Sequence, residues 1–346
     1  MRLAVVPETV MEWLGLRAGL APVPLFDTLV AMWLSRTIIV ACKVGVFEAL
    51  RDGGATTHEV ALRCEADPGA LEKMLGALVG ARYLTWRAGR YALTARARRW
   101  LLPGAPQSLH DNMVFRLLEW DLLDHYEAYI RHGTTVDLHR QLTTESWAIY
   151  PAGMRALAAL TAEEVAKRAP IGRRARTLLD LGGAHGLYAA TLCRRHPLLE
   201  ATVLDLPDMA REAAALIERE GLGARLRYRT GDATKEDLGH ETYDVVFVSH
   251  LVHHLDAAQN EDLMRRIARA LRPEGVVIVQ EIFRPKLSTR RGQAGALGDL
   301  YFGMLSASGT WTHTEVAAWQ EAASLHALRP IWLRSVPGTG LQAARR

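Results

Sequence analysis

Three cysteines in 346 residues, Cys42, Cys64 and Cys193, are too few and too scattered for a disulfide framework or a paired metal site. They favour a reducing, cytoplasmic setting. Long apolar runs are also missing. No stretch reaches the roughly 18 uninterrupted apolar residues that a membrane span needs. The nearest, Leu25 to Leu50, is broken by Asp27, Arg36, Lys43 and Glu48 and reads as a buried amphipathic helix. A secretory leader is not expected, because Glu8 and Glu12 fall inside the first apolar stretch and no cleavage site follows. Charge of one sign is scarce too: 42 Lys and Arg against 38 Asp and Glu leave a net of +4. That excess gives weak attraction to anions and no nucleic-acid footprint.

What is present divides the chain. Residues 1–25, with Pro7, Pro22 and Pro24, predict a loose extension. Phe26 to Ala41 is apolar on most faces, which predicts a deeply buried helix. Thr56 with Glu59 opens a second helix as a capping box, and Asp67-Pro68 opens a third that runs to about Val79, with Gly80 as its stop. Tyr83–Trp86 and Arg90–Leu93 around Ala88-Gly89 read as a hairpin. Three helices and a hairpin make the winged-helix plan, assigned to residues 26–108. Its third helix offers only Lys73 as a base, and Arg96, Arg98 and Arg99 follow the hairpin. A DNA-binding regulator therefore stands only as an alternative of a different class. Breaks at Pro103-Gly104-Ala105-Pro106 and Pro170-Ile171-Gly172 bound a stretch of linking helices, 109–170. From 171 to 346, short apolar runs alternate with helices: Thr177–Leu181, Ala201–Leu204, Leu226–Tyr228, Tyr243–Val248, Val276–Val279 and Pro330–Leu333. That is an α/β pattern, a parallel sheet with helices on both faces.

The run Leu178-Leu179-Asp180-Leu181-Gly182-Gly183-Ala184-His185-Gly186 is a strand ending in an acid, then a glycine turn into a helix. A dinucleotide site wants Gly-x-Gly-x-x-Gly, and that spacing fails here; Asp180 would also face a pyrophosphate. S-adenosylmethionine removes the conflict, since it carries a sulfonium and an ammonium and no phosphate. Asp205 ends the second strand, placed for the ribose hydroxyls, and Asp232 follows the third, placed for the adenine amino group. Each Asp alone could equally cap a turn. The expected cofactor set is Asp180, Gly182, Gly183, Gly186, Asp205, Leu206, Asp232, Ala233 and Ser249.

On these motifs the chain resembles the small-molecule O-methyltransferases with an N-terminal winged-helix dimerisation domain, known from plants and bacterial natural-product pathways. The resemblance spans roughly Phe26 to Ala344. It continues through Val246-Phe247 leading to His253, Val277–Glu281, Gly309-Thr310-Trp311-Thr312 and Gly338-Thr339-Gly340-Leu341. It implies a class I methyltransferase fold: a Rossmann-like seven-stranded sheet, last strand antiparallel, after an all-helical winged-helix dimerisation domain (its hairpin aside). It also implies a homodimer, S-adenosyl-L-methionine as cofactor with S-adenosyl-L-homocysteine as product, His253 as general base and Glu281 as its partner acid. Three positions depart from the family: Thr310 and His254 stand where acids are usual, and Ala184 where the loop has its third glycine.

The cluster His250, His253 and His254 admits two functions. One is a base for a hydroxyl. The other is a metal site for C-methylation of a keto acid, with His313 or Glu281 as a further ligand. His253 is read as the base, His250 as structural, His254 is left open among substrate contacts, and no metal is assigned. The acceptor is expected to be a small, aromatic or flat molecule met by Asn112, Phe115, Trp120, Trp147, Tyr150, Met154, His254, Tyr301, Phe302 and Met304. Neither nucleic acid nor membrane is expected as a partner.

Overall fold

The structure is a computed structural model that describes residues 3–285, 292–306 and 308–346. Contacts divide the chain between Trp120 and Asp121 into two compact units.

In the N-terminal unit, residues 10–17 are not the loose extension expected. Thr9 accepts from the Glu12 N–H while Glu12 accepts from the Thr9 N–H, and this capping box starts a helix at Val10–Arg17. None of that helix is buried. A continuous helical stretch follows, Val23–Lys43, with a π turn at Phe26–Val30 and regular α geometry over Ala31–Lys43. The expectation of deep burial fails for a single chain. Only Ile39, Ala41 and Cys42 are buried in the α segment, while Phe26, Met32, Trp33 and Leu34 are exposed. With a mean hydropathy of 1.6, this helix is long and apolar enough to cross a membrane. An apolar surface of this extent marks an interaction face.

The next two helices start as expected. Thr56 and Glu59 exchange bonds at the head of Thr57–Arg63, and Asp67 accepts from the Ala70 N–H (2.7 Å) at the head of Pro68–Gly80. The latter stops differently. Arg82, not Gly80, takes the left-handed backbone (φ 61°), and the Tyr83 N–H reaches back to the Leu78 carbonyl in a Schellman closure. Strands β1 (Leu84–Arg87) and β2 (Arg90–Leu93) pair around Ala88 and Gly89, whose φ values of 49° and 75° give the turn its primed twist. Phe47, Leu50, Val60, Leu75, Leu78 and Leu84 fill the core beneath. Arg98 bonds the Arg51 carbonyl and Arg99 the Gln107 side chain, so the basic cluster is spent on contacts within its own unit. Helix His110–Trp120 also goes with this unit, which divides the linking helices expected over 109–170.

The second unit carries β3 (Thr177–Leu181), β4 (Glu200–Asp205), β5 (Leu226–Thr230), β6 (Tyr243–Ser249), β7 (Leu271–Ile282), β8 (His326–Ala327), β9 (Ile331–Trp332) and β10 (Thr339–Arg345). They lie in the order β5-β4-β3-β6-β7-β10-β8, with β9 also on β10. β3 to β7 are parallel, and β10 is antiparallel to β7. β8 and β9 share one edge, separated where Pro330 lacks an N–H, so eight strands fill the seven positions expected. Alternation along the strands splits the core. Leu178, Val245, Phe247 and Ile278 pack with helix Leu187–Arg195, whereas Leu179, Leu181, Val246, Val248 and Val277 pack with helix Ala257–Ala270. Strand order reverses between β3 and β6, and the crevice beyond such a switch point is where open α/β sheets bind ligands.

Candidate active site

At that point Asp180, the last residue but one of β3, is fully buried, with only the Ala189 backbone N–H near its carboxylate. Burial, and then the nearby Asp205 carboxylate, push its pKa up to about 8. The turn folds back over it. A Cβ on Gly183 would lie 2.5 Å from the Asp180 Cγ, so this close approach requires glycine. Gly186 sits at φ 68°, where a Cβ would also strike Ile217 at 2.7 Å. Ala184, at the family's third glycine, tolerates a φ of 40°. Its N–H donates to Asp205 Oδ2 at 2.7 Å, while the Leu206 N–H donates to Oδ1, also at 2.7 Å. Burial raises the Asp205 pKa against these two bonds.

Asp232 lies beyond β5, partly exposed. Its Oδ1 accepts from the Thr234 N–H and hydroxyl, and Oδ2 meets Lys235 at 2.9 Å. Burial works to raise its pKa, but these donors outweigh it and hold the group low. In this structure Asp205 and Asp232 both serve as turn caps, and both keep acceptor lone pairs. Ala233 is buried next to Asp232, and Ser249, at the end of β6, donates to Gln280 Oε1 (2.5 Å). A cationic nucleoside fits this set, because a buried acid with so few donors gains from a sulfonium or ammonium and offers nothing to a pyrophosphate, while the glycine cradle lets the backbone approach the ligand.

Glu281, fully buried near the end of β7, is the hub of the second cluster. His253 Nδ1 lies 2.9 Å from Oε2 and His250 Nδ1 3.1 Å from Oε1; Oε1 also accepts the Ile282 N–H at 2.8 Å. Desolvation acts to raise the Glu281 pKa, but His253 and His250 reverse it, so the carboxylate stays ionised far below the usual range. The segment after β6 does not continue as an α-helix. It is a tight turn, Val252–His254, following His250 in the left-handed region (φ 50°). His250, expected as structural, is therefore a second imidazole on Glu281. Side chains pin this turn through its carbonyls: Ser306 Oγ to His253, Trp311 Nε1 to Val252, and Asn260 Nδ2 to Val252 and Leu255.

The ligand atoms of His250, His253 and Glu281 lie within 4.8 Å of one another. Their pairwise contacts are those of hydrogen bonds. His313, a further ligand in the metal reading, is elsewhere, stacked on Phe283 at 3.5 Å between ring centroids.

An aromatic wall continues from His253. Phe302 and His254 pack against it at 4.0 and 4.2 Å between ring centroids. His254 then meets His139 (4.9 Å), which stacks on Trp147 (5.9 Å) and bonds the Tyr150 hydroxyl through Nε2 at 3.1 Å. Burial lowers the pKa of both His139 and His254, so both rings are neutral at pH 7. His139 went unread in the sequence; it sits in a short helix, Leu138–Gln141, with no motif around it. Tyr301 packs edge-on to Phe302, and Met154 lies half-buried on helix Thr144–Ala158. Met304 is fully buried, and its carbonyl accepts the Val136 N–H. Asn112, Phe115 and Trp120 lie on His110–Trp120 in the other unit. Thr310 donates both its N–H and its hydroxyl to Asp299 Oδ1 (2.8 Å each), so a carboxylate from helix Gln293–Leu305 lies against Thr310.

Comparison with known proteins identifies the family. The family model for the O-methyltransferase domain matches residues 127–321, more than half of the chain, and that for the O-methyltransferase dimerisation domain matches 26–103. A 3-hydroxy-5-methyl-1-naphthoate 3-O-methyltransferase from Streptomyces sahachiroi is 28% identical over 93% of this chain and 94% of its own. An N,N-dimethyltransferase from Streptomyces rimosus is 27% identical over 72% of this chain and 75% of its own. The crystal structure of human N-acetylserotonin methyltransferase in complex with S-adenosylmethionine superposes with a TM-score of 0.83 at 17% identity, covering 99% of both chains. The chain belongs to the S-adenosylmethionine-dependent O-methyltransferases that carry a dimerisation domain ahead of the catalytic one.

Proposed function

We propose that the chain methylates a hydroxyl of a small aromatic acceptor, with His253 as general base. The observation that carries this reading is the 2.9 Å contact between His253 Nδ1 and the buried, ionised Glu281. An ionised carboxylate holds the proton on Nδ1 and leaves Nε2 as the proton acceptor. Phe302 and His254 pack against that ring, and His139, Trp147 and Tyr150 extend an aromatic surface that suits a flat molecule. The naphthoate acceptor named for the Streptomyces sahachiroi enzyme, a hydroxyl on a fused ring, has this character. The acceptor set on the catalytic unit is Trp147, Tyr150, Met154, His254, Tyr301 and Met304, joined by Phe302 and His139.

The bound cofactor supplies an electrophilic methyl group on a sulfonium. Asp180 would balance its positive charge, Asp205 would accept from the ribose hydroxyls and Asp232 from the adenine amine. Gly182, Gly183 and Gly186 let the backbone approach it, beside Leu206, Ala233 and Ser249. Asp205→Ala also releases the Ala184 and Leu206 N–H groups, and should weaken cofactor binding by about 1.5–3 kcal/mol. Calorimetric titration would read this as roughly a ten- to hundredfold rise in Kd. Incubation with methyl-labelled S-adenosylmethionine and a panel of hydroxynaphthoates and phenols tests the reaction class. Label on an acceptor oxygen supports it; label on nitrogen or carbon overturns it.

The assembly we propose is a homodimer built largely on residues 1–108. The exposed apolar face of Leu25, Phe26, Val30, Met32, Trp33 and Leu34 supports it, and it falls within the dimerisation-domain match. A two-fold interface is self-complementary, so one such face covers its own copy. Sedimentation should give a dimer at micromolar concentration, and removal of residues 1–108 should cause aggregation. A stable monomer of the full chain would refute the assembly.

A further inference from the structure

Among the described residues, Asp180 is the buried carboxyl with both oxygens short of hydrogen-bond partners. Its side chain is fully buried, and apart from the nearby Ala189 backbone N–H no described donor faces its oxygens. Buried carboxylates elsewhere in the same unit are well provided. Glu281 has two imidazoles and an N–H, and Asp205 has two N–H donors.

The groups around Asp180 make ionisation harder. From β4 comes Asp205, a second carboxylate. From helix Leu187–Arg195 come Tyr188 and Cys193, whose pKa values burial raises first and Asp180 raises further. Its sheet partners on β4 and β6 are Val203 and Phe247, both apolar. On the turn itself, His185 cannot help: burial, then Arg155 and His250, push it down to about 3, so its ring is neutral. None of these neighbours is a cation. A buried charge without partner or cation is too costly to persist, and such a group neutralises by holding its proton.

Resting on the cofactor site assigned above, we propose that Asp180 stands as a neutral acid in the empty site and gives its proton to solvent when the cofactor's positive charge arrives. Cofactor binding is then linked to proton release. The balance is simple: the carboxylic O–H bond breaks, the proton goes to buffer, and the carboxylate left behind faces the cation. The bonds of Asp205 suit this division of labour. Two N–H donors at 2.7 Å each work against the burial of Asp205, while Asp180, with only the Ala189 N–H near it, responds to the cation. A carboxylate already ionised and bonded would bind the same cation with no proton exchanged.

Calorimetric titration with S-adenosylmethionine in buffers of different ionisation enthalpy reads the number of protons released. At about pH 6.5 the full-length protein should release about one proton per cofactor bound, and Asp180→Asn, nearly isosteric, should release about one fewer. Release by the unaltered protein should fall as pH rises through about 8, where Asp180 is already ionised. That pH series needs no variant, so it tests the inference even if Asp180→Asn folds poorly. Equal release by both proteins, or release by the unaltered protein that does not change between pH 6.5 and 9, overturns the inference and leaves the cofactor site standing. No binding of S-adenosylmethionine by the unaltered protein overturns both.

Discussion

His253→Asn should lower turnover about 10²–10⁴-fold, the usual worth of a positioned general base, while leaving cofactor affinity nearly unchanged. Asparagine is the more informative replacement than alanine. Its amide N–H can stand where Nδ1 stands, 2.9 Å from Glu281 Oε2, so the buried carboxylate keeps its donor. What asparagine cannot offer is the Nε2 lone pair. Alanine would remove both, and an unpaired buried carboxylate oxygen adds about 1–3 kcal/mol of instability to the loss of the base. With a phenolic acceptor, raising the pH should partly restore either variant by ionising the acceptor in solution. Glu281→Gln should cost less, since the amide still orients His253 in part. Steady-state kcat and KM for the three variants, beside cofactor Kd from titration, check the ordering. Near-normal turnover in His253→Asn would move the base elsewhere, and His250 on the same carboxylate would be the first candidate.

The second large effect concerns stability without cofactor. An unfolded Asp titrates near 3.8, whereas Asp180 in the fold is pushed up to about 8. Between these values the folded chain holds a proton that the unfolded chain has lost. Stability is therefore fully present below about pH 4 and declines as pH rises to about 8, after which the loss is complete. At about 1.4 kcal/mol per unit, the decline is on the order of several kcal/mol. Asp180→Asn should abolish this slope. Thermal unfolding of the two proteins should coincide near pH 4–5 and diverge upward, with the variant the more stable at pH 8–9. Parallel curves at all pH values would mean that Asp180 is ionised in the empty fold.

Much of this was legible in local sequence. β3 begins and ends at the residues read from the sequence, Thr177 and Leu181, because a run buried on both faces and closed by glycines has few alternatives. Capping boxes at Thr56 and the Asp67-Pro68 start are local chemistry and came through intact. The glycine turn and its three acids were readable because each lies within two residues of a strand end. Other parts depend on residues far apart in the chain. His139 reaches His254 across more than a hundred residues, and Asp299 binds Thr310 from a different helix. No spacing rule links either pair. The second bond to Glu281 depends on a positive φ at His250, which histidine adopts rarely and sequence pattern does not announce. The helix Val23–Lys43 showed the opposite problem. Its composition reads as needing burial, but the single chain leaves its outer face exposed.

The central claim is that the turn after β3, with Asp180, Asp205 and Asp232, holds a cationic nucleoside and excludes a dinucleotide. Parallel calorimetric titrations with S-adenosylmethionine and with NAD test it most directly. The account predicts saturable binding of S-adenosylmethionine, weakened in Asp205→Ala, and no heat of binding with NAD. Tight NAD binding with none of S-adenosylmethionine would contradict it.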